Sequence, residues 1–153
     1  LAQLATVLVQ APHLLSIILD ESGDLTTFRK IFQSPPSPYW RQHYTFGKPS
    51  SKVTSNGLSE QSVQLLVINF VLPIWFAYGE FHDQEEWKER CFSLLQNMTA
   101  EQNYVLRKFV RHAWIPETAF DSQGMLELYR RYCSAQKCLS CKIGQSLLRS
   151  PSK

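Results

Sequence analysis

A chain of 153 residues with 44% hydrophobic and 19% charged side chains has the composition of an ordinary globular protein, with a net charge of +3, which excludes a disordered polyelectrolyte. It can bury roughly two-thirds of the surface its unfolded form exposes, so one domain spanning 1–153 is expected, with no metal needed merely to fold. The charge is uneven: residues 1–104 carry 7 Lys and Arg against 10 Asp and Glu, and residues 105–153 carry 9 against 3.

In chain order, Leu1–Leu8 reads as the middle of an apolar-periodic helix with no capping residue before it, so the chain is expected to be a fragment of a longer protein. Leu4 and Leu8, then Leu14, Leu15, Ile18 and Leu19, predict two short helices meeting at Pro12. Neither a basic leader nor a cleavage site accompanies them, so export is not expected. Asp24 predicts the cap of a helix carrying Leu25, Phe28, Ile31 and Phe32, which Ser34-Pro-Pro-Ser-Pro38 ends. The Pro- and Ser-rich stretch from Pro35 to Leu58 predicts a long irregular loop.

Ser59 predicts the cap of the next helix, whose apolar run Leu65–Tyr78 contains Asn69 and Pro73 and is too short for a membrane span. A buried central helix kinked at Pro73 follows, and no membrane partner is expected. Asp83 with Glu86, and Thr99 with Gln102, match the capping-box pattern; the cap also accounts for Thr99 better than the chance sequon Asn97-Met98-Thr99. The stripes they introduce are Trp87, Cys91, Leu94, Leu95, Met98, and Leu106, Phe109, Val110, Ala113. Beyond Pro116, a helix over Ser122–Cys133 and another over Leu139–Leu148, with Leu139, Ile143 and Leu147 on one side, complete an all-α fold: a single compact multi-helix domain with a long loop and a cysteine-bearing C-terminal helix pair.

The sharpest chemistry lies in residues 133–144, where Cys133, Cys138 and Cys141 form C-x4-C-x2-C. Thiolates bind soft or borderline metals, and a short Cys-x2-Cys turn presents two sulfurs to one centre. A helix start, Lys137 and Lys142 favour thiolate there. Zinc is the expected ion, with an iron-sulfur cluster the lesser alternative. Cys91 is either the fourth ligand or a small core residue on its helix stripe, and His112 and His43 are substitutes. A disulfide and inert thiols remain the other readings of the cluster.

The loop segment Tyr39-Trp40-Arg41-Gln42-His43-Tyr44-Thr45-Phe46-Gly47-Lys48 alternates rings with basic and amide groups, which suits single-stranded nucleic acid or a sugar. The favoured alternative is that the rings pin the loop to the helices. Arg107, Lys108 and Arg111 share a face with Tyr104. That face is a partner surface or, as favoured, the wet side of an amphipathic helix. No phosphate loop, G-x-S-x-G or H-E-x-x-H is present, and Glu80, Asp83, Glu85, Glu86 and Glu89 read as solvated charge around a helix start, so no catalytic motif is found.

Leu1-Ala-Gln-Leu-Ala, Tyr39-Trp40 with His43–Lys48, Phe76-Ala-Tyr-Gly79, Ala119-Phe-Asp-Ser-Gln123, and Tyr132-Cys133 with Lys137–Gly144 resemble the C-terminal part of a family of uncharacterised bacterial proteins, common in Bacteroidetes, known only as a domain of unknown function. The resemblance implies a larger cytoplasmic protein whose N-terminal portion would be a partner of this part, and it supplies no activity. The expected role is a helical accessory domain with a structural metal and a basic, aromatic surface for nucleic acid or another phosphorylated partner. The alternatives are a metal-free protein-interaction domain or the non-catalytic part of a larger enzyme.

Overall fold

The computed structural model describes residues 2–20, 23–33, 35–53 and 57–149. Leu1, Ser34 and Lys153, and positions 54–56 of the long loop, lie outside the described residues. The fold is all-α, as the periodicity predicts; among the described residues the only named sheet is a two-stranded one. The chain gathers into two compact units, Leu1–Leu94 and Leu95–Lys153.

In the first unit α1 (Ala2–Gln10), α2 (Leu14–Ile18) and α3 (Leu25–Phe32) precede the loop, and α4 (Glu60–Leu66), α5 (Leu72–His82) and α6 (Glu85–Asn97) follow it. Two of the expected caps are present. The Thr27 N–H donates to the Asp24 carboxylate at 2.7 Å and the Ser62 N–H to the Ser59 hydroxyl at 3.2 Å, each satisfying a donor that a helix start leaves orphaned.

Between α4 and α5, residues Val67–Val71 form a π-turn, so Glu60–His82 is one continuous helix of 23 residues containing an 18-residue window of mean hydropathy 1.6. The expected kink at Pro73 is thus replaced by a wider turn just before it, where the proline ring would otherwise crowd the Asn69 carbonyl. The same turn keeps a core stripe in phase. Val63, Val67, Val71, Trp75 and Gly79 are all buried and spaced by four, a spacing that in a straight α-helix drifts by about 40° per step. By length and composition this helix could cross a bilayer, contrary to the expectation that the run is too short. It is also less enclosed than predicted, since Leu65, Phe70 and Phe76 on its other sides are exposed.

The buried stripe meets α2, α3 and α6 through aromatic contacts. The Trp75 indole donates to the Ile18 carbonyl at 2.6 Å, and its ring lies 5.6 Å from Phe28 and 5.9 Å from Trp87. Arg90 sits over both indoles, at 4.4 and 4.6 Å, while its guanidinium donates to the Gly23 carbonyl at 3.1 Å. A cation held between two indole faces and a carbonyl is satisfied without solvent on those sides.

Asp83 is not the cap of α6. It adopts φ 54°, closing α5 in the left-handed region, and the next amide, of Gln84, donates to the Gly79 carbonyl at 2.9 Å. Gly79 is constrained there, because a Cβ on it would stand 2.8 Å from the Gln84 carbonyl oxygen.

The second unit holds α7 (Tyr104–Val110), α8 (Ala119–Leu128), a π-turn at Tyr129–Cys133, a 3-10 turn at Cys138–Ser140 and α9 (Lys142–Arg149). Thr99 is not a cap either: it forms a bridge with Thr118, and α7 is capped by Asn103, whose side chain accepts from the Leu106 N–H at 3.0 Å. The buried pair on α7 is Val105 and Leu106, whereas Val110 and Ala113 are exposed. The helix predicted from Ser122 starts earlier, under a capping box in which the Asp121 N–H donates to the Thr118 hydroxyl at 3.2 Å and the Thr118 N–H to the Asp121 carboxylate at 2.9 Å. Ser122, fully buried, donates to the Ala119 carbonyl at 2.9 Å and accepts from the Glu101 N–H at 3.2 Å. The predicted Leu139 helix begins as the 3-10 turn and becomes α-helical only at Lys142.

Candidate functional site

The middle of the long loop is ordered as a small hairpin. A 3-10 turn at Tyr39–Arg41 leads into β1 (His43–Thr45), which pairs with β2 (Lys48–Pro49) in antiparallel register, Thr45 opposite Lys48. Phe46 and Gly47 make the turn, with Gly47 at φ 70°, a conformation that costs glycine little. The Gly47 N–H donates to the Tyr39 hydroxyl at 2.9 Å, and the Ser50 N–H to the Gln42 carbonyl at 2.6 Å.

The rings gather on one another. Tyr39 stacks on His43 at 4.0 Å, and Trp40 meets Phe46 edge-on at 4.9 Å. Half-buried Trp40 shares with Val9 and Gln10 of α1, and with Pro36 and Pro38, the lining of a cavity of about 500 Å³. Tyr39, Tyr44 and Phe46 keep exposed surface, Tyr44 and Phe46 the most, at 74% and 81%. Arg41, Lys48 and Lys52 are exposed beside them, and between Asp24 and Glu60 the sequence has five Lys and Arg and no acidic residue. That acid-free interval is the sequence signal for this surface, together with Phe46 and Lys52.

Arg107, Lys108 and Arg111 are exposed on α7, but Lys108 is engaged. Its ammonium donates to the Tyr129 hydroxyl at 2.8 Å and lies over the rings of Tyr104 and Tyr129, at 5.3 and 4.7 Å. The phenol hydrogen bond, ahead of its other neighbours, holds the Lys108 pKa above its ordinary value. Arg130 and Arg131 both pair with Glu127, which lowers the pKa of that carboxyl, Arg131 being the larger cause.

Cys133 ends the π-turn, and the chain reverses through Gln136, at φ 52°, with the Lys137 N–H donating to the Tyr132 carbonyl at 2.9 Å. Cys138 opens the 3-10 turn. Cys141, extended at φ −90° and ψ 127°, directly precedes α9, and its carbonyl accepts from the Gln145 N–H at 2.8 Å. Gly144 lets α9 pack on this turn, since a Cβ on it would stand 2.3 Å from the Cys138 carbonyl oxygen.

All four thiols are free; Cys133 and Cys138 are exposed and Cys141 is buried. Burial first, then the nearby charges of Cys141 and Cys138, push the Cys133 thiol above its ordinary pKa. At Cys133 burial is thus the larger cause and like charge the smaller, and both favour the protonated thiol. The three thiols lie within electrostatic reach of one another. Among the described residues, no three His, Cys, Asp or Glu side chains are already drawn together as ligands.

Cys91 is buried in the first unit, where its Sγ donates to the Leu72 carbonyl at 3.5 Å and burial pushes its pKa up to about 11. This is the environment of a core thiol. His43 lies in the hairpin, where its Nδ1–H donates to the Tyr39 carbonyl at 2.9 Å, and His112 is exposed past the end of α7. Of the acidic group, Glu80 and Glu85 flank the Lys88 ammonium at 2.7 and 2.6 Å, and all five carboxylate residues are exposed, as expected for solvated charge.

No curated protein and no solved structure matches the chain. The family model described as protein of unknown function (DUF2851) matches residues 1–104; the match takes in the hairpin and Cys91 and ends before Arg107 and the three-cysteine segment. With that match over more than half its length, the chain belongs to the DUF2851 family of proteins of unknown function.

Proposed function

We propose that this chain is a helical accessory module that holds single-stranded nucleic acid on the hairpin around residues 39–52. The carrying observation is the exposure of Tyr39, Tyr44 and Phe46 beside Arg41, Lys48 and Lys52, on an interval without acidic residues. Aromatic faces accept any base by stacking, while adjacent cations take up the phosphates and release their counterions. His43, stacked face to face on Tyr39, holds that ring in place. The second unit carries a separate basic surface at α7 and its end, where Arg107 and Arg111 are exposed and Lys108 is held between two tyrosines as a less available contact.

The same reading includes a structural zinc on Cys133, Cys138 and Cys141 with one further ligand. It is supported by the influence of Cys141 and Cys138 on Cys133 and by the exposure of Cys133 and Cys138, which leaves both side chains room to turn toward one ion. A divalent cation would offset the burial and like charge that now disfavour the Cys133 thiolate.

The test of the nucleic-acid reading is a titration of fluorescent single-stranded and duplex oligonucleotides at several salt concentrations. Single strands are expected to bind more tightly, with affinity falling steeply as salt rises. Absence of single-strand binding at about 50 mM salt would refute the reading. Elemental analysis tests the zinc, with close to one zinc per chain expected.

A further inference from the structure

We propose that the acid-free C-terminal segment docks α9 flat on an anionic lipid bilayer. Leu139, Leu147 and Leu148 are 76%, 74% and 66% exposed, and Ile143 is exposed with them. At about 100° per residue, Ile143, Leu147 and Leu148 share one arc of α9, in which Gly144 packs on the Cys138 turn, and Lys142, Gln145, Ser146 and Arg149 share the opposite one. Such separation ordinarily marks a face that something covers.

Charge selects the cover. From Leu128 onward the sequence carries six Lys and Arg and no Asp or Glu. Arg130 and Arg131 pair with Glu127, while Lys137, Lys142 and Arg149 are exposed. A second copy of the chain would bring the same positive charge against this one. Nucleic acid would neutralise the cations and leave the aliphatic side chains in water. An anionic bilayer satisfies both requirements: leucines enter the boundary between headgroups and acyl chains while cations remain among the phosphates. The sequence expectation of no membrane partner concerned spanning, which needs a long apolar run. A helix about 12 Å long lying in the interface needs only one apolar face.

The experiment is co-sedimentation of the full chain with vesicles of phosphatidylcholine alone or containing about 30% phosphatidylserine, at about 100 mM salt. At least about tenfold more protein should partition to the anionic vesicles, and the excess should fall as salt screens the cations. The double variant L139S/L147S and the double variant K142E/R149E should each lower partitioning about tenfold, with unchanged far-ultraviolet circular dichroism. The second variant leaves the apolar face intact, so a folding failure in the first does not remove the test. Equal partitioning to both vesicle types overturns the proposal, as does binding indifferent to the leucine pair. Lipid-free dimerisation abolished by L139S/L147S would overturn it by assigning the face to a second copy. Trp40→Ala should leave vesicle binding unchanged, which separates this site from the hairpin.

Discussion

The ring of Tyr39 lies parallel to that of His43, 5° from coplanar orientation and 4.0 Å between centroids, while the His43 Nδ1–H donates to the Tyr39 carbonyl at 2.9 Å. Two residues four apart are thus locked as a face-to-face stacked pair, and the Tyr39 hydroxyl, accepting from the Gly47 N–H, ties that pair to the hairpin turn. The platform is built before any ligand arrives, so little ordering cost falls on binding.

Removing a stacking face should weaken single-strand binding by about 1–3 kcal/mol, or roughly 5- to 150-fold. Tyr44→Ala and Phe46→Ala are the cleanest variants, because these rings are mostly exposed. Lys48→Ala and Lys52→Ala should instead lower the slope of log affinity against log salt by about 1 each. Fluorescence anisotropy across a salt series separates the two effects; unchanged affinity in all four variants would remove the hairpin as the site.

The sequence showed some of this through strictly local signals. Asp24 and Ser59 were legible as caps because each needs only the amide three residues on. Asp83 and Thr99 carried the same pattern and were misread: a left-handed residue closing α5 and a bridge to Thr118 occupy them, and both depend on where the preceding chain ends. The capping box at Thr118 was missed because its N3 acid is Asp121 rather than Glu or Gln. The hairpin has strands too short to alternate, so it escaped the periodicity reading. The spacing of the three cysteines puts Cys138 and Cys141 near enough to raise the Cys133 pKa without drawing three ligands together among the described residues; the exposure of the Leu139, Ile143 and Leu147 stripe is not legible, because a stripe states which face seeks cover and not what covers it.

Zinc uptake should rise with pH. Since burial, and after it like charge, raise the Cys133 pKa, the Cys133 thiol holds its proton more tightly, and metal must displace that proton. In competition with a chromophoric chelator, zinc affinity should therefore increase from about pH 6 to pH 8 and should be lost in Cys138→Ser. Metal-free chain should also lose stability as pH rises past the ordinary thiol value of 9.0, because a raised folded pKa stabilises only below that value. Zinc-loaded chain should not show this loss. Pronounced zinc binding by a chain in which Cys133, Cys138 and Cys141 are all Ser would place the metal elsewhere.

The Thr118 cap should contribute about 1 kcal/mol to the second unit. Thr118→Ala removes the hydroxyl that accepts from the Asp121 N–H and donates to its carboxylate. Hydrogen bonds from Thr118 lower the Asp121 pKa below 3.8, so this carboxylate stabilises the fold above that pH and its contribution disappears as pH falls through the lower folded value. Acid unfolding of the second unit, followed by amide exchange at Ala119–Leu128, should accordingly begin at higher pH in Asp121→Asn. An unshifted acid limb would deny the capping box any energetic role.

Cys91 gives the first unit an alkaline limit. Burial raises its pKa from 9.0 to about 11, because ionisation would place a charge among Leu72, Trp75 and Trp87, all of which are buried. The sign follows from the direction of the shift: the folded chain keeps the thiol proton that the unfolded chain gives up above about pH 9, so stability falls between pH 9 and 11. A shift of this size corresponds to a loss on the order of 2 kcal/mol by the upper end of that window. Cys91→Ala should be less stable at neutral pH, by about 1 kcal/mol for the lost contacts of the sulfur, yet should show no decline from this source above pH 9. Urea titrations of both chains at pH 7, 9 and 10.5, read by the fluorescence of the Trp75 and Trp87 pair, measure this difference in slope. Parallel declines in the two chains would mean that the Cys91 thiol ionises as readily in the folded chain as in the unfolded one, and that the packing around Leu72 is open to water.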